Sequence, residues 1–304
     1  MKVRAAVLAL ALAAIPGSAR PAAAQSWAPR EGTGDVTFVT QMIDHIGRIF
    51  GDVRIDCCGT TNVAVGVDVD YGVSRRWSVS ASLPFVFAKY RGASFTGPVA
   101  WIPYTAADSC HCVHGVFQDI QVGSHYNLLK LRRSFSLMGS TTLAIPTHNY
   151  TYDAEAAVGF GLTELDLSID AGQRLEFVLP GLSVDGHYGY TISERPLGIG
   201  HNRSNARLNA RYAFMDRLAG HAVLAIQRTH GGLRFPDDIA PFPERYSEFH
   251  RLLQDNYFQA GGGVSYAWGD WDLSVSVVKT VSGTNTHNVH VYTMTAGRAF
   301  RIGR

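Results

Sequence analysis

Apolar and polar residues alternate along several stretches of the chain. In residues 77–87 apolar side chains occupy every second position, and most of the positions between them are serines. The same alternation recurs over residues 62–71 and 271–277. Successive side chains of a β-strand point to opposite faces, so a period of two over about ten residues predicts a strand with one apolar and one polar face.

About twelve strands of this kind are predicted, and the connections between them alternate in length. The strands begin near residues 35, 60, 76, 116, 133, 159, 177, 203, 217, 256, 270 and 289. Short connections are predicted at 72–75, 130–133, 172–175, 215–217 and 269–270, and long ones at 46–59, 90–115, 147–157, 194–202, 230–255 and 282–288. An even number of antiparallel strands, with short turns at one end and long loops at the other, is typical of an outer-membrane β-barrel with periplasmic termini.

Composition narrows the alternatives to two classes of protein. Beyond the N-terminus no stretch approaches the roughly 20 apolar residues of a transmembrane helix. Charged residues make up 17% of the chain, compared with about 25% in a typical soluble domain. A soluble periplasmic β-protein and an outer-membrane barrel remain, and the segregation of loop lengths favours the barrel. The net charge of +2 gives no reason to expect a nucleic-acid partner.

The N-terminus has the three parts of a secretory signal peptide. Lys2 and Arg4 precede an apolar run over residues 5–15, and three alanines end at Ala24. This pattern predicts cleavage after Ala24, so that residues 1–24 are the signal and residues 25–304 form the barrel. At the other end, residues 295–302 resemble the final-strand signal that the barrel-assembly machinery recognises. The expected partners are therefore outer-membrane lipid and that machinery.

The polar phase of the strands is expected to face the barrel interior, because a charge facing lipid costs about 2–4 kcal/mol near the membrane midplane. Residues predicted to line this lumen are Asp68, Asp70, Asp119, Glu164, Asp166, Asp185, Arg203, Arg207 and Arg211, together with His125, Asp170 and His187. A row of arginines facing acidic strands would create a transverse field that selects small charged solutes. The alternative is that these charges pair and fill the barrel.

The four cysteines fall in two loops on the same predicted side of the barrel. Cys57 and Cys58 lie in the first long loop, and Cys110 and Cys112 lie in the second. An even number of cysteines in an oxidising compartment predicts disulfides, and a bridge between adjacent residues is strained, so pairing between the loops is favoured. Neither a metal nor a cofactor is predicted, because Cys-x-Cys differs from the usual zinc spacing.

A serine and a histidine near residue 200 raise the question of catalysis. His201 and Ser204 are three residues apart, so on a strand they point to opposite faces and cannot hydrogen-bond as nucleophile and base. The protein is therefore not predicted to be an enzyme. Two further motifs, residues 229–232 and 283–287, lie where strands meet loops, and with His114 and His148 they either line a common mouth or satisfy loop backbone. The loop 230–255 is expected to contain a short helix over residues 244–253.

Four segments resemble the outer-membrane transporter-like family labelled the MetA-pathway of phenol degradation. They are residues 70–84, 117–123, 144–150 and 159–165, and the resemblance extends over about residues 60–215. Membership would imply an outer-membrane channel for small aromatic or other hydrophobic compounds, without specifying a binding residue.

The sequence as a whole predicts an outer-membrane channel or transporter that passes small molecules through a charged lumen. The alternative is a closed barrel with a structural or ligand-binding role at the surface. An outer-membrane lipid hydrolase is the third possibility, which the spacing of His201 and Ser204 argues against.

Overall fold

The strands in the computed structural model follow the alternating segments of the sequence. The structure describes residues 29–50, 53–55, 59–91, 112–131, 134–149, 159–234 and 249–302. Its strands are β1 Thr33–Phe50, β2 Val53–Ile55, β3 Thr60–Gly72, β4 Trp77–Tyr90, β5 Val113–Phe117, β6 Ile120–Leu131, β7 Phe135–Ile145, β8 Glu164–Arg174, β9 Leu182–Ser193, β10 His201–Ala213, β11 Leu218–Gly231, β12 Asn256–Trp268 and β13 Trp271–Arg301. A 3₁₀ turn at Pro196–Gly198 and a one-turn helix, α1, at Phe249–Leu252 complete the described elements.

The strands form a closed antiparallel ring. Pairing runs in the order β1, β3, β4, β6, β7, β8, β9, β10, β11, β12 and β13, and β13 pairs back to β1. The short strand β2 lies outside the ring beside β1, and β5 pairs with β4 beyond the end of β6. This confirms the predicted all-β antiparallel barrel; in the described part of the chain, eleven strand elements form the ring and the short strands β2 and β5 lie off it.

The last element, β13, occupies two places in the wall. Its first half pairs with β12, and its second half pairs with β1 from Thr284 onward. The guanidinium carbon of Arg298 lies 5.7 Å from the ring of Trp271 in the same element, so the strand folds back on itself. Asn285 has φ 54°, a left-handed conformation that short polar side chains tolerate. The predicted strands near 270 and 289 are therefore halves of one element, and the predicted long loop at 282–288 is wrong.

Two other strand starts differ from the predicted ones. The strand expected near residue 159 begins at Glu164, because Gly159 and Gly161 have positive φ. The strand expected near residue 177 begins at Leu182, and the apolar run before it forms a turn. That turn is held by backbone hydrogen bonds from Val178 to the Leu175 carbonyl and from Leu182 to the Leu179 carbonyl.

Connections segregate by length less strictly than predicted. Connections 73–76, 132–134, 175–181, 214–217 and 269–270 all lie at one end of the barrel, hereafter the short-turn end. The strands that flank residues 91–112, 146–163 and 232–255 meet those segments at the opposite end, hereafter the long-loop end. The 175–181 connection is nevertheless as long as 194–200 at the opposite end. Among the described residues, no helix is both long and apolar enough to cross a membrane.

The two faces of the wall differ sharply in polarity. Outward positions carry exposed apolar side chains such as Phe38, Met42 and Leu224. Inward positions carry buried or half-buried polar side chains, many of them serine and threonine. At the long-loop end, Leu162, Leu233, Leu252 and Leu253 form a buried group, the leucine cluster, against which Ile199 packs.

Candidate functional site

The inward face of the barrel collects most of the ionisable residues predicted to line a lumen. The strand registers place on this face Asp68 and Asp70 of β3, Glu164, Asp166 and Asp170 of β8, Asp185 and His187 of β9, and Arg203, Arg207 and Arg211 of β10, with His125 of β6. Asp119 instead lies in the two-residue break between β5 and β6, outside the paired strands. Asp35 of β1 and Asp272 of β13 join the inward face, although neither was predicted there.

A belt of hydrogen-bonded side chains crosses six neighbouring strands on the inward face. Its members are Ser80 of β4, His125 of β6, Ser140 of β7, Asp170 of β8, His187 of β9 and Asn205 of β10. The imidazole of His125 lies 2.9 Å from both serine hydroxyls, and Ser140 donates to Asp170 at 3.3 Å. His187 reaches Asp170 through Nδ1 at 2.8 Å and Asn205 through Nε2 at 2.9 Å.

The belt has a direction that follows from its donors and acceptors. The carboxylate of Asp170 only accepts, so both Ser140 and His187 donate to it. With its own proton given to Asp170, Ser140 accepts from Nδ1 of His125, and Nε2 of His125 is hydrogen-bonded to the Ser80 hydroxyl. Asp170 is therefore the acceptor on which the belt converges, and the belt fixes these side chains against the wall.

An ion pair lies nearer the long-loop end. Arg203 donates to Glu164 at 2.6 Å, and Ser193 donates to the same carboxylate at 3.2 Å. The side chains of Arg203 and Glu164 are only 13% and 15% exposed. The nearby Asp166 accepts from Thr191 at 2.9 Å. Glu164 of β8 thus neutralises Arg203, one of the three arginines in the predicted row. Such pairing is what the alternative of a filled barrel requires.

The other two arginines lie nearer the short-turn end. Arg207 is exposed on the inward face, and Arg211 donates to Ser265 at 3.4 Å. Asp185 accepts from Asn209 at 3.3 Å, and Ser82 donates to Asp68 across β3 and β4. Carboxylates on several strands therefore face a row of three arginines on β10.

The leucine cluster is anchored to the inward face. His201 donates from Nε2 to the Leu253 carbonyl at 2.8 Å, and Thr229 donates to the Asp255 carbonyl at 2.6 Å. The carboxylate of Asp255 lies among Thr286, Arg203 and Arg48, and burial raises its pKa to about 6. Among the described residues no donor reaches its buried Oδ1 atom. Apolar packing and a buried acid thus lie against the inward face at the long-loop end.

Several of the predicted sites fall partly outside the described residues. Of the four cysteines only Cys112 is described, and it is disulfide-bonded. Cys57, Cys58 and Cys110 lie outside the described residues, so the pairing stays a prediction. Within the described part of the chain no group of three or more His, Cys, Asp or Glu side chains is arranged to hold a metal ion. Residues 244–248 of the predicted helix are not described, and α1 covers Phe249–Leu252 of it.

The serine and histidine considered for catalysis point to opposite faces of β10, as their spacing predicts. His201 faces inward and Ser204 faces outward. Ser204 nevertheless has a histidine beside it, because its Oγ lies 2.7 Å from Nε2 of His230 on β11. His230 belongs to the motif 229–232 and faces outward, so it does not line the predicted common mouth. Neither this contact nor the belt was predicted, since both depend on registers between strands.

The fold is shared with channels of the outer membrane. The chain is similar to the COG4313 outer membrane channel from Pseudomonas putida F1, with a TM-score of 0.68 and 10% identity over 92% of this chain and 100% of that one. It is also similar to the NanC porin, with a TM-score of 0.51 and 9% identity over 86% of this chain and 98% of that one. No protein-family model matches the chain, and no curated protein matches it. The resemblance to the MetA-pathway family therefore stays a prediction.

Proposed function

We propose that this protein is an outer-membrane channel that passes small molecules through a polar, charged lumen. The observation that carries the proposal is a closed ring with an apolar outward face and a charged inward face. A closed ring pairs its own backbone groups, which is the condition for spanning lipid with strands. The outward face supplies the apolar band that lipid requires, and the inward face supplies polar groups to solvent.

The proposed orientation puts the short-turn end and both termini in the periplasm. Outer-membrane barrels have short periplasmic turns and longer extracellular loops, and the described connections follow that trend. Residues 1–24 would direct export and be removed, and residues 25–304 would be inserted by the barrel-assembly machinery into lipid. The disulfide of Cys112 is compatible with an oxidising exterior.

The inward charges favour small polar or charged solutes over large apolar ones. Inward-facing carboxylates of the described strands are Asp35, Asp68, Asp70, Glu164, Asp166, Asp170, Asp185 and Asp272. Arginines at inward positions are Arg203, Arg207 and Arg211 of β10, with Arg48 of β1, Arg174 of β8 and Arg301 of β13. This excess of carboxylates favours cationic or neutral solutes. The two structures to which the chain is similar are those of an outer membrane channel and a porin, which agrees with transport. We assign no catalytic role to this interior.

A closed barrel with a binding or structural role is the second candidate, and the leucine cluster favours it. Leu252 and Leu253 are buried at the long-loop end, and the inward-facing His201 holds the Leu253 carbonyl, so this segment packs against the inward wall. The ion pair of Arg203 and Glu164 also removes two charges from the path. If the cluster is fixed, the interior is sealed on that side.

Single-channel conductance in a planar bilayer separates the two candidates. The protein is purified from membranes in detergent and its circular dichroism is checked before insertion. Discrete, salt-dependent current steps are expected, and heat-unfolded protein at the same concentration is the control. Folded protein that produces no steps would contradict the channel and favour the sealed barrel.

A further inference from the structure

A serine and a histidine on the outward face form a hydrogen-bonded pair near the long-loop end. Ser204 is the fourth residue of β10, and His230 is the second-last residue of β11. Their Oγ and Nε2 atoms are 2.7 Å apart, within the range of an activated nucleophile and its base. Ser204 is half-buried and His230 is exposed, so a ligand can reach both.

Polar and aromatic groups surround this pair. The ring of Tyr190 packs 5.8 Å from the His230 ring, and Asn202, directly across from His230, donates to the Tyr190 hydroxyl at 3.2 Å. Arg228 lies directly across from Ser204 on the same face of the wall. A guanidinium at this position can stabilise a negatively charged oxygen that develops beside the serine.

The pair lies at the border between polar and apolar outward positions. Moving along β10 and β11 toward the short-turn end, the next outward pair is Ala206 with Ile226, followed by Leu208 with Leu224. The side chains of Ile226, Leu208 and Leu224 are exposed. Toward the long-loop end the outward positions are Asn202 and His230. In a membrane, this border corresponds to the level of lipid headgroups, where the first ester bonds of a lipid are found.

We propose that Ser204 and His230 are a nucleophile and base that hydrolyse carboxylic esters presented at the membrane surface. Ser204 Oγ attacks the ester carbonyl while His230 Nε2 accepts its proton. The carbon–oxygen bond of the ester breaks, and the leaving alcohol takes the proton from His230. Water, activated by His230, then hydrolyses the acyl-serine, which releases a carboxylic acid and regenerates Ser204. The assignment of the ester to a membrane lipid rests on the membrane placement proposed above. The assignment of Ser204 and His230 as nucleophile and base does not.

A fluorophosphonate probe tests the pair without depending on channel activity. The purified protein in detergent is treated with the probe, in which Ser204 Oγ would displace fluoride, and the labelled peptide is identified by mass spectrometry. Label on Ser204 is expected in the wild type and absent in S204A. H230Q is expected to slow labelling by roughly 10²–10⁴-fold, the usual contribution of a general base.

The control is S124A, because Ser124 also faces outward but accepts a hydrogen bond from Trp77 instead of contacting a histidine. It should label like the wild type, and circular dichroism establishes that every variant is folded. No label on Ser204, or equal labelling rates in wild type and H230Q, would overturn the proposal whether or not the protein conducts.

The source of the ester is resolved by two substrates. Hydrolysis of a medium-chain glycerol ester in mixed micelles, lost in S204A, is the expected result. If the protein hydrolyses a soluble acetate ester but not the glycerol ester, Ser204 is still a nucleophile, but its assignment to esters carried by lipids is overturned.

Discussion

A carboxylic acid enclosed by protein at the long-loop end makes stability depend on pH. Burial raises the pKa of Asp255 from its ordinary 3.8 to about 6. Between these values the folded chain binds more protons than the unfolded chain, so the free energy of unfolding falls as pH rises and levels off above about pH 6. The difference corresponds to a free energy on the order of 3 kcal/mol.

Replacing Asp255 with Asn should remove this dependence. D255N is expected to be more stable than the wild type above pH 6, by an amount on the order of 1–3 kcal/mol, and to show a flatter stability profile from pH 4 to 7. Urea unfolding in detergent at several pH values measures the effect. D44N is the matched control, because Asp44 lies on the outward face and contacts the exposed Arg91. A wild-type profile that rises from pH 4 to 6 would contradict the assignment.

At the residue scale, the sequence predicts which face a side chain occupies but not what it contacts. Alternation alone assigns Asp170 and His187 to the interior, because strand geometry has a period of two. The hydrogen bond between them requires the register of β8 against β9, which no local pattern specifies. For the same reason the contact between His230 and Ser204 could not be predicted, since the two residues are 26 positions apart along the chain.

At the scale of one element, β12 depends on glycine. A Cβ added at Gly261 or Gly263 would overlap the backbone carbonyls of Val277 or Val275 on the neighbouring strand. Backbone cannot move aside as the end of a side chain can, so a larger residue here forces the two strands apart.

Substitution of Gly263 by Ala should therefore destabilise the barrel by about 1–3 kcal/mol or prevent its assembly. Gly186 on β9 supplies the matched control, because the nearest atom to an added Cβ there is the Arg207 carbonyl oxygen at 4.0 Å. G186A should change the free energy of unfolding by no more than about 0.5 kcal/mol. Equal urea midpoints for the two variants would show that β12 accommodates the added methyl group without loss of stability.

The predicted and observed elements agree where alternation is uninterrupted and differ where glycine or apolar turns intervene. β3, β4 and β12 begin within about two residues of their predicted starts. Phe177 lies in an apolar run typical of a strand, yet its side chain is 81% exposed in a turn. Gly181, with φ 83°, ends that turn. Hydropathy cannot distinguish an apolar turn from a strand of the same composition.

At the scale of the whole molecule, the distribution of inward charge predicts the ion selectivity of the proposed channel. The wild-type channel is expected to prefer cations, since carboxylates outnumber arginines on the described inward face. Removing two arginines in R207A/R211A should raise the cation-to-anion permeability ratio by roughly twofold or more. Reversal potentials in a salt gradient measure this ratio.

The control for that measurement is R298A, because Arg298 faces outward beside Asp270 at the short-turn end. It should leave the reversal potential unchanged. An unchanged potential in R207A/R211A as well would mean that β10 does not border the ion path.

Closure of the barrel was predictable from the alternating strands and the trend in connection length, but the apolar packing at its long-loop end was not. The leucine cluster joins residues from connections far apart in sequence, such as Leu162 and Leu252, and neither has a local pattern that marks it as buried. Such packing arises only after the ring has brought its loops together.

Ring closure also governs how the chain can fold. Gln41 of β1 donates to Thr293 of β13 at 3.2 Å, although 252 residues separate them. Contacts of such high sequence separation form slowly, because the entropy of a very long loop is lost before they provide any stabilisation. Until the final strand arrives, the edges of β1 and β12 are open to pairing with other chains. The nascent protein must therefore be kept from pairing with other chains until β13 is available, and removal of β1 or β13 would prevent closure of the ring.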